Sequence, residues 1–305
     1  MLKVGVIGTG SIGQHHARIF SDLQSVELVG IVDINSGRAE EIASRFNCKP
    51  YVNYMDIMNR VDAVSIAVPT ALHHKIAMDF LMSNKDILLE KPITSTIQEA
   101  EELISEAEKR DLIFQVGHIE RFNTGVSLIS GLVDKPQFIE SRRISPFLER
   151  SANIDVTLDL MIHDIDIILS LVNSDISDLR ATGARVLSDN IDVAHAWIEF
   201  KNGCIAEAVT SRMASEKKRE LKIYQSKALL TLDYQSREVS CIRKTDKSID
   251  KDIKIADEKE PLKEQLESFI KCLRDRTQPV VSGHEGREAL RVVLKISDLV
   301  NNNIV

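Results

Sequence analysis

Apolar residues in the first part of the chain fall into short unbroken runs. "LKVGVIG" (2–8), "VELVGIVD" (26–33), "AVSIAV" (63–68), "ILLE" (87–90) and "IFQVG" (113–117) read as strands. Between them lie helical stretches: one from about Ile12, one over 36–46 with Ser36 as N-cap, and two near 71–84 and 97–110. Near-continuous apolar strands alternating with helices predict a parallel sheet covered on both faces. After about residue 120 the pattern changes. "PQFIESRRI" (136–144) is strand-like, "LDLMIHDIDIILSLV" (158–172) is helical, and extended segments follow at 178–188, 192–200, 203–213, 218–224, 227–233 and 238–243. Asn202-Gly203 is a hairpin turn signal. The charged stretch 244–260 reads as an exposed connection, and helices over 261–276 and 284–301 end the chain. The expected architecture is a parallel α/β domain over 1–119, then an α+β domain over 120–305 built on a large, mostly antiparallel open sheet. The last helices are free to pack back on the first domain.

Composition narrows the partners. The 305 residues carry 39 Lys and Arg against 46 Asp and Glu, a net charge of −7, without a basic block. Nucleic acid and anionic membrane surfaces are poor partners for such a chain. "MLKVGVIGTG" runs straight into a strand pattern, so no signal peptide is expected, and no apolar run is long enough to span a bilayer. Cys48, Cys204, Cys241 and Cys272 are scattered and form no C-x-x-C pair, which fits reduced thiols and a cytoplasmic location.

The helix over 158–172 is apolar except for Asp159, His163, Asp164, Asp166 and Ser170. Three readings compete. It is a partly exposed helix with a polar stripe. It is a metal site, because His163-Asp164 is a His-Asp pair like those of metal-dependent phosphohydrolases. Or it holds a proton-transfer group whose cofactor binds elsewhere. The metal reading needs further His and Asp ligands. His15, His16, His73 and His74 fall in no convincing ligand run, so no metal is expected.

"VGVIGTGSIG" sets Gly8, Gly10 and Gly13 as G-x-G-x-x-G, after a strand and opening a helix, with Asp33 twenty residues past Gly13 at the next strand end. That context is the Rossmann dinucleotide fingerprint. Gly8 permits the tight turn, Gly10 lets the backbone approach a pyrophosphate, and Gly13 allows close helix–strand packing. Thr9, Ser11 and Ile12 complete the turn. Asp33 suits ribose hydroxyls and repels a 2′-phosphate, which favours NAD. Arg38, five residues on, keeps NADP open.

"AVPTALHH" and "LLEKPIT" both follow strands, where an open parallel sheet puts its ligands. Val68, Pro69, Thr70, His73, Glu90 and Lys91 are therefore further candidate cofactor contacts. Lys91 precedes Pro92, which biases its backbone toward an extended strand end.

A G-x-G-x-x-G domain, then "PTALHH", then "EKP", then an acidic-x-x-x-His helix in a second domain resembles the Gfo/Idh/MocA family along essentially the whole chain. That resemblance implies a nicotinamide-dependent sugar, inositol or related oxidoreductase that pairs its subunits as a homodimer or homotetramer through the open sheet. It implies that Lys91, Asp159 and His163 frame the reacting carbon. The family's glycine-richer lead-in to the helix is replaced here by "RSANIDVTLDL". On this reading His163 is an acid/base group, Asp159 orients it or a substrate hydroxyl, and Lys91 stabilises the oxygen. Asp166 buttresses the helix, and Asp164 points elsewhere and has no role.

For the substrate, "GHIERFN" (117–123), "RRISPFLER" (142–150) and "SRMASEKKR" (211–219) supply Arg121, Arg142, Arg143, Arg150, Arg212 and Lys217. Most are expected to be solvated. Any that converge suit a diphosphate. With Lys91, Asp159 and His163, the candidate substrate contacts are Arg121, Asn123 and Arg150. "GHIERFN", "SPF" and "DLMIHDIDI" resemble one branch of the family, the UDP-N-acetylglucosamine 3-dehydrogenases. A free sugar or inositol is the alternative substrate, and a non-catalytic cofactor-binding regulator is the alternative class.

Overall fold

A computed structural model describes residues 1–149 and 152–303. The chain divides into two compact units. The first is Met1–Ile119 with Glu260–Arg287, and the second is Glu120–Lys259 with the chain from Glu288 on. Residues 260–287, placed in the second domain with the last helices free to pack back on the first, cluster with the first unit.

The first unit holds a six-stranded sheet in the order β3-β2-β1-β4-β5-β6. Its strands are β1 (Leu2–Ile7), β2 (Val26–Val32), β3 (Lys49–Tyr51), β4 (Ala63–Ile66), β5 (Asp86–Glu90) and β6 (Phe114–Gly117). Every pair is parallel. The three-residue β3 is too short to give a periodic signal, and the sequence pattern missed it. Helices α1 (Gly13–Asp22), α2 (Ser36–Arg45), α3 (His73–Met82) and α4 (Ile97–Lys109) connect the strands. Asn35, not Ser36, caps α2: its backbone is extended and its side chain accepts from the Arg38 N–H. Thr96 and Glu99 form a reciprocal capping box on α4. Val4 and Val6 on one face of β1 pack into a buried cluster with Ala17 and Phe20 of α1 and Leu266, Phe269 and Ile270. These last three lie on α7 (Pro261–Asp275), so a helix distant in sequence closes this core. The chain leaves β3 and returns beside β1 as β4. That reversal opens a crevice at the carboxyl ends of β1 and β4.

The second unit is built on an eight-stranded sheet in the order β14-β13-β12-β11-β7-β10-β9-β8. The strands are β7 (Phe138–Ile144), β8 (Ile176–Ala184), β9 (Val193–Phe200), β10 (Ile205–Ser211), β11 (Lys218–Gln225), β12 (Ala228–Asp233), β13 (Glu238–Lys244) and β14 (Ile249–Ile255). Only β7–β10 is parallel. The central strands alternate, as in β10, where Ala206, Ala208 and Thr210 are buried and their neighbours are not. α5 (Thr124–Ser130) packs on β12 and β13, and α6 (Ile162–Val172) on β7 and β10. On the opposite face the alternate side chains, such as Phe138, Trp197, Glu207 and Tyr224, stay part-exposed. α8 (Gly283–Asn303) ends the described chain. The stretch expected as an exposed connection contains β14, paired in register with β13. Its isoleucines at 249, 253 and 255 keep the period of two, and the intervening charges hid it. No helix among the described residues is long and apolar enough to cross a membrane.

Candidate active site

The crevice of the first unit is a cavity of about 730 Å³, within the usual range of ligand sites. Gly8, Thr9, Gly10, Ser11, Ile12, Asp33, Arg38, Val68, Pro69, Glu90 and Lys91 line it. So do Ile34, Val52, Tyr54, Leu72, Lys75 and Ile76, which sequence reasoning passed over. Val52 and Tyr54 follow the strand that pattern reading missed. Gly13, Thr70 and His73 do not line it.

The glycines divide their work. Gly8 has φ +89°, and a Cβ there would sit 2.6 Å from the Ala67 carbonyl oxygen. A Cβ on Gly13 would fall 1.9 Å from the Gly8 carbonyl oxygen, so this glycine serves close backbone packing. A Cβ on Gly10 would meet no protein atom within 4 Å, so its smallness answers to nothing in the protein itself. α1 starts immediately beyond, and the first turn of a helix offers N–H groups to an anion. Asp33 closes the far side. Its Oδ1 accepts from the Asn35 N–H at 2.9 Å, and the Arg38 guanidinium is 3.9 Å from Oδ2. Burial acts to raise this carboxyl. The Thr9 hydroxyl, the Asn35 and Thr9 N–H groups and Arg38 outweigh it and hold it below its ordinary value. An open glycine approach, a helix start and a fixed carboxylate on one cavity fit a dinucleotide.

Behind the cavity, His16 Nδ1 meets the Ser65 hydroxyl at 2.6 Å, and its Nε2 is 3.4 Å from Glu90 Oε1. Gln265 Nε2 is also 3.4 Å from Glu90 Oε1. Burial acts to raise the Glu90 carboxyl, but His16, Lys91 and Gln265 together bring it below its ordinary value. The peptide between Lys91 and Pro92 is cis. His73 is buried, with ring nitrogens 2.9 Å from the carbonyl oxygens of both Pro92 and Val68. It therefore ties the "AVPTALHH" and "EKP" loops together from behind the cavity wall.

In the second unit the helix predicted over 158–172 begins as a π-turn, Thr157–Met161, and continues as α6. Such widened turns are common at functional sites. Asp159 and His163 are half-buried on this segment, while Asp164 and Asp166 are buried. Asp164, expected to have no role, takes both Nε and Nη2 of Arg143, at 2.8 and 3.0 Å. Arg143 Nη1 donates to Glu120 at 2.8 Å. Asp166 lies 3.4 Å from Arg121. Asn123 caps α5 through the Gly125 N–H and donates to Glu120, so its amide works inside the unit.

Residues 2–118 match the NAD-binding Rossmann-fold domain of an oxidoreductase family, and residues 133–231 match the GFO/IDH/MocA C-terminal domain. A UDP-N-acetylglucosamine 3-dehydrogenase from Acidithiobacillus ferrooxidans is 30% identical over 97% of this chain and 96% of its own length. The chain belongs to the Gfo/Idh/MocA oxidoreductase family. Its first unit carries the family's NAD-binding domain. The solved structure of the A. ferrooxidans enzyme superposes with a TM-score of 0.94 at 29% identity, covering 99% of this chain and 98% of that one. A myo-inositol 2-dehydrogenase from Thermotoga maritima is 25% identical over 95% of this chain and 93% of its own length. Levoglucosan dehydrogenase, solved with NADH and levoglucosan, shares the fold at 17% identity, a TM-score of 0.88 and 99% and 97% coverage.

In this Gfo/Idh/MocA chain, of the six cations, most of which were expected to be solvated, two are instead buried and paired. Arg143 and Arg212 are each 2% exposed, and Arg212 pairs with buried Asp192 at 2.6 Å. Arg142 and Lys217 are exposed. Arg121 lines a cavity of about 320 Å³ with Ser127, Ser130 and Ser170. Arg150 lies outside the described residues. The partners of Arg143 and Arg212 were not readable from the chain, because each pair joins residues about 20 apart in sequence.

Proposed function

We propose that the chain oxidises the 3-hydroxyl of UDP-N-acetylglucosamine to the ketone with NAD. The observation that carries this reading is its near full-length match to a UDP-N-acetylglucosamine 3-dehydrogenase. Bound NAD would supply the hydride acceptor. The chain's residues must then manage the proton and the oxygen. His163 accepts the hydroxyl proton as the C–H hydride departs, leaving a C=O bond. Asp159, four residues before it, orients the imidazole or a neighbouring hydroxyl. Lys91 donates to the same oxygen and stabilises its developing negative charge. The assignment rests on motif order and family membership. Asp33, with its carboxylate held ionised, favours NAD over NADP.

The test follows the reduced-nicotinamide absorbance with NAD, UDP-N-acetylglucosamine and a ketone scavenger, since oxidation of an alcohol by NAD is uphill near neutral pH. The expected result is a rise that Lys91→Ala abolishes. No rise with the nucleotide sugar but a rise with myo-inositol or a free sugar would support the second reading, which the T. maritima relative favours. Cofactor binding without turnover on any of these would point to a regulator. We further propose a homodimer or homotetramer through the open sheet face. Phe138, Trp197 and Tyr224 cluster there, the Phe138 ring centroid 5.8 Å from each of the other two. A monomer by sedimentation at micromolar concentration would contradict this. The four free cysteines support a cytosolic setting.

A further inference from the structure

We propose that Arg143 and Arg121 are positioning residues that fix the rotation of α6 and thereby the direction of the His163 imidazole. The inference rests on the reading of His163 as the proton carrier. Asp164 and Asp166 stand one and three residues beyond His163. At about 100° per residue they lie about 100° to one side of it and about 60° to the other. Each carboxylate is gripped by a guanidinium on another element. Arg143, on β7, takes Asp164 bidentately. Arg121 meets Asp166 at 3.4 Å. A roll of α6 in either sense must break one of these pairs.

The grip is itself braced. Arg143 bonds Glu120 at 2.8 Å, and Glu120 is 3.6 Å from Arg219 and 3.3 Å from the Asn123 amide. The guanidinium of Arg143 lies over the Tyr234 ring at 5.2 Å. Arg121, Arg143 and Arg219 balance Glu120, Asp164 and Asp166 in charge, so the largely buried array is neutral. Buried ion pairs are an inefficient source of stability, because apolar residues of like volume hold a helix to a sheet as well. A fork-to-carboxylate contact adds direction, since its two parallel hydrogen bonds fix an angle as well as a distance. Direction matters here because the π-turn ends just before α6 begins. The change of pitch leaves the phase of His163 weakly set from the N-terminal side. The two anchors reset it within three residues.

The experiment is a double-mutant cycle on kcat with NAD and UDP-N-acetylglucosamine, using the full chain, with NADH affinity and Tm as controls. Arg143→Lys keeps the cation and removes the fork. It is expected to lower kcat by about 10- to 100-fold while NADH affinity holds. The same change in a His163→Ala background is expected to cost less than about 2-fold, because no imidazole is left to misdirect. An equal loss in both backgrounds, or no loss in either, overturns the inference and leaves the His163 reading standing. Full turnover by His163→Ala alone sinks that reading, and the inference with it. If Arg143→Lys does not fold, Asp166→Asn completes the same cycle from the other anchor.

Discussion

Thr9 holds the carboxylate of Asp33 twice on one oxygen, its N–H at 3.0 Å and its hydroxyl at 2.5 Å from Oδ2. The fingerprint turn thus orients the acidic group that ends the next strand before any ligand arrives. Arg38 is drawn toward the same oxygen. Asp33→Ser removes the carboxylate and releases Arg38 to meet a phosphate. NADH affinity is expected to fall at least about tenfold and NADPH affinity to rise, with fluorescence titration reading both. An unchanged ratio would mean that Asp33 does not choose the cofactor.

The glycines give a sharper contrast. Gly10→Ala places its Cβ in open space, so Tm should hold, with stability within about 0.5 kcal/mol, while NADH affinity drops. Gly13→Ala drives a Cβ into the Gly8 carbonyl, so both stability and affinity should be lost. If Gly10→Ala bound NADH like the parent, the cofactor's backbone would not pass where the open glycine invites it.

Asp33 and Glu90 both lie below their ordinary carboxyl values in the folded chain. A depressed folded pKa stabilises above the unfolded value, about 4 for a carboxyl, and that contribution fades as pH falls through the folded value. Stability should therefore be flat above about pH 5 on their account and decline below about pH 4. Urea midpoints of the parent and Glu90→Gln across pH 3–6 should converge as the pH drops. A gap that widened on acidification would reverse the sign assigned to Glu90.

The first unit was the more legible one because its signals are local. Gly8, Gly10, Gly13 and Asp33 sit at spacings that a βαβ unit imposes on neighbouring residues. Lys91 was legible as a cavity-lining residue because proline and a strand end mark its place. What escaped depends on contacts that sequence distance hides. Asp164 looked idle because its partner Arg143 sits 21 residues upstream on another element. β14 looked like a linker because its charges mask three isoleucines at even spacing, and only the β13 edge makes it a strand. Tyr54, in a turn after the three-residue β3, and Lys75, on α3, reach the cavity wall together, the ammonium 2.8 Å from the phenol oxygen. Asn123 was read as a substrate contact, yet its side chain caps α5. A capping residue and a ligand residue look alike in sequence, because both need a short polar side chain at a loop end.

The pair Asp192–Arg212 lets the burial argument be tested away from the proposed chemistry. Asp192 is 0% exposed and Arg212 is 2% exposed. Asp192 Oδ2 accepts from the N–H groups of Val186, Leu187 and Ser188, and its Oδ1 takes the Ser188 hydroxyl and Arg212 Nε. Arg212 also donates to the Ile154 carbonyl at 2.7 Å and to Ser188 at 2.9 Å, with its guanidinium over the Phe147 ring. The two changes are therefore unequal. Arg212→Met leaves a buried carboxylate that four other donors still satisfy. Asp192→Asn leaves a buried cation facing a neutral amide, and it also replaces an acceptor oxygen inside a ring of donors. Breaking a buried pair from one side typically costs about 3–5 kcal/mol. Asp192→Asn should reach that range and Arg212→Met should fall about 1–2 kcal/mol short of it, because its orphan keeps its hydrogen bonds. Urea unfolding at pH 7 reads both. Equal losses would show that the N–H cradle contributes nothing once the cation is gone.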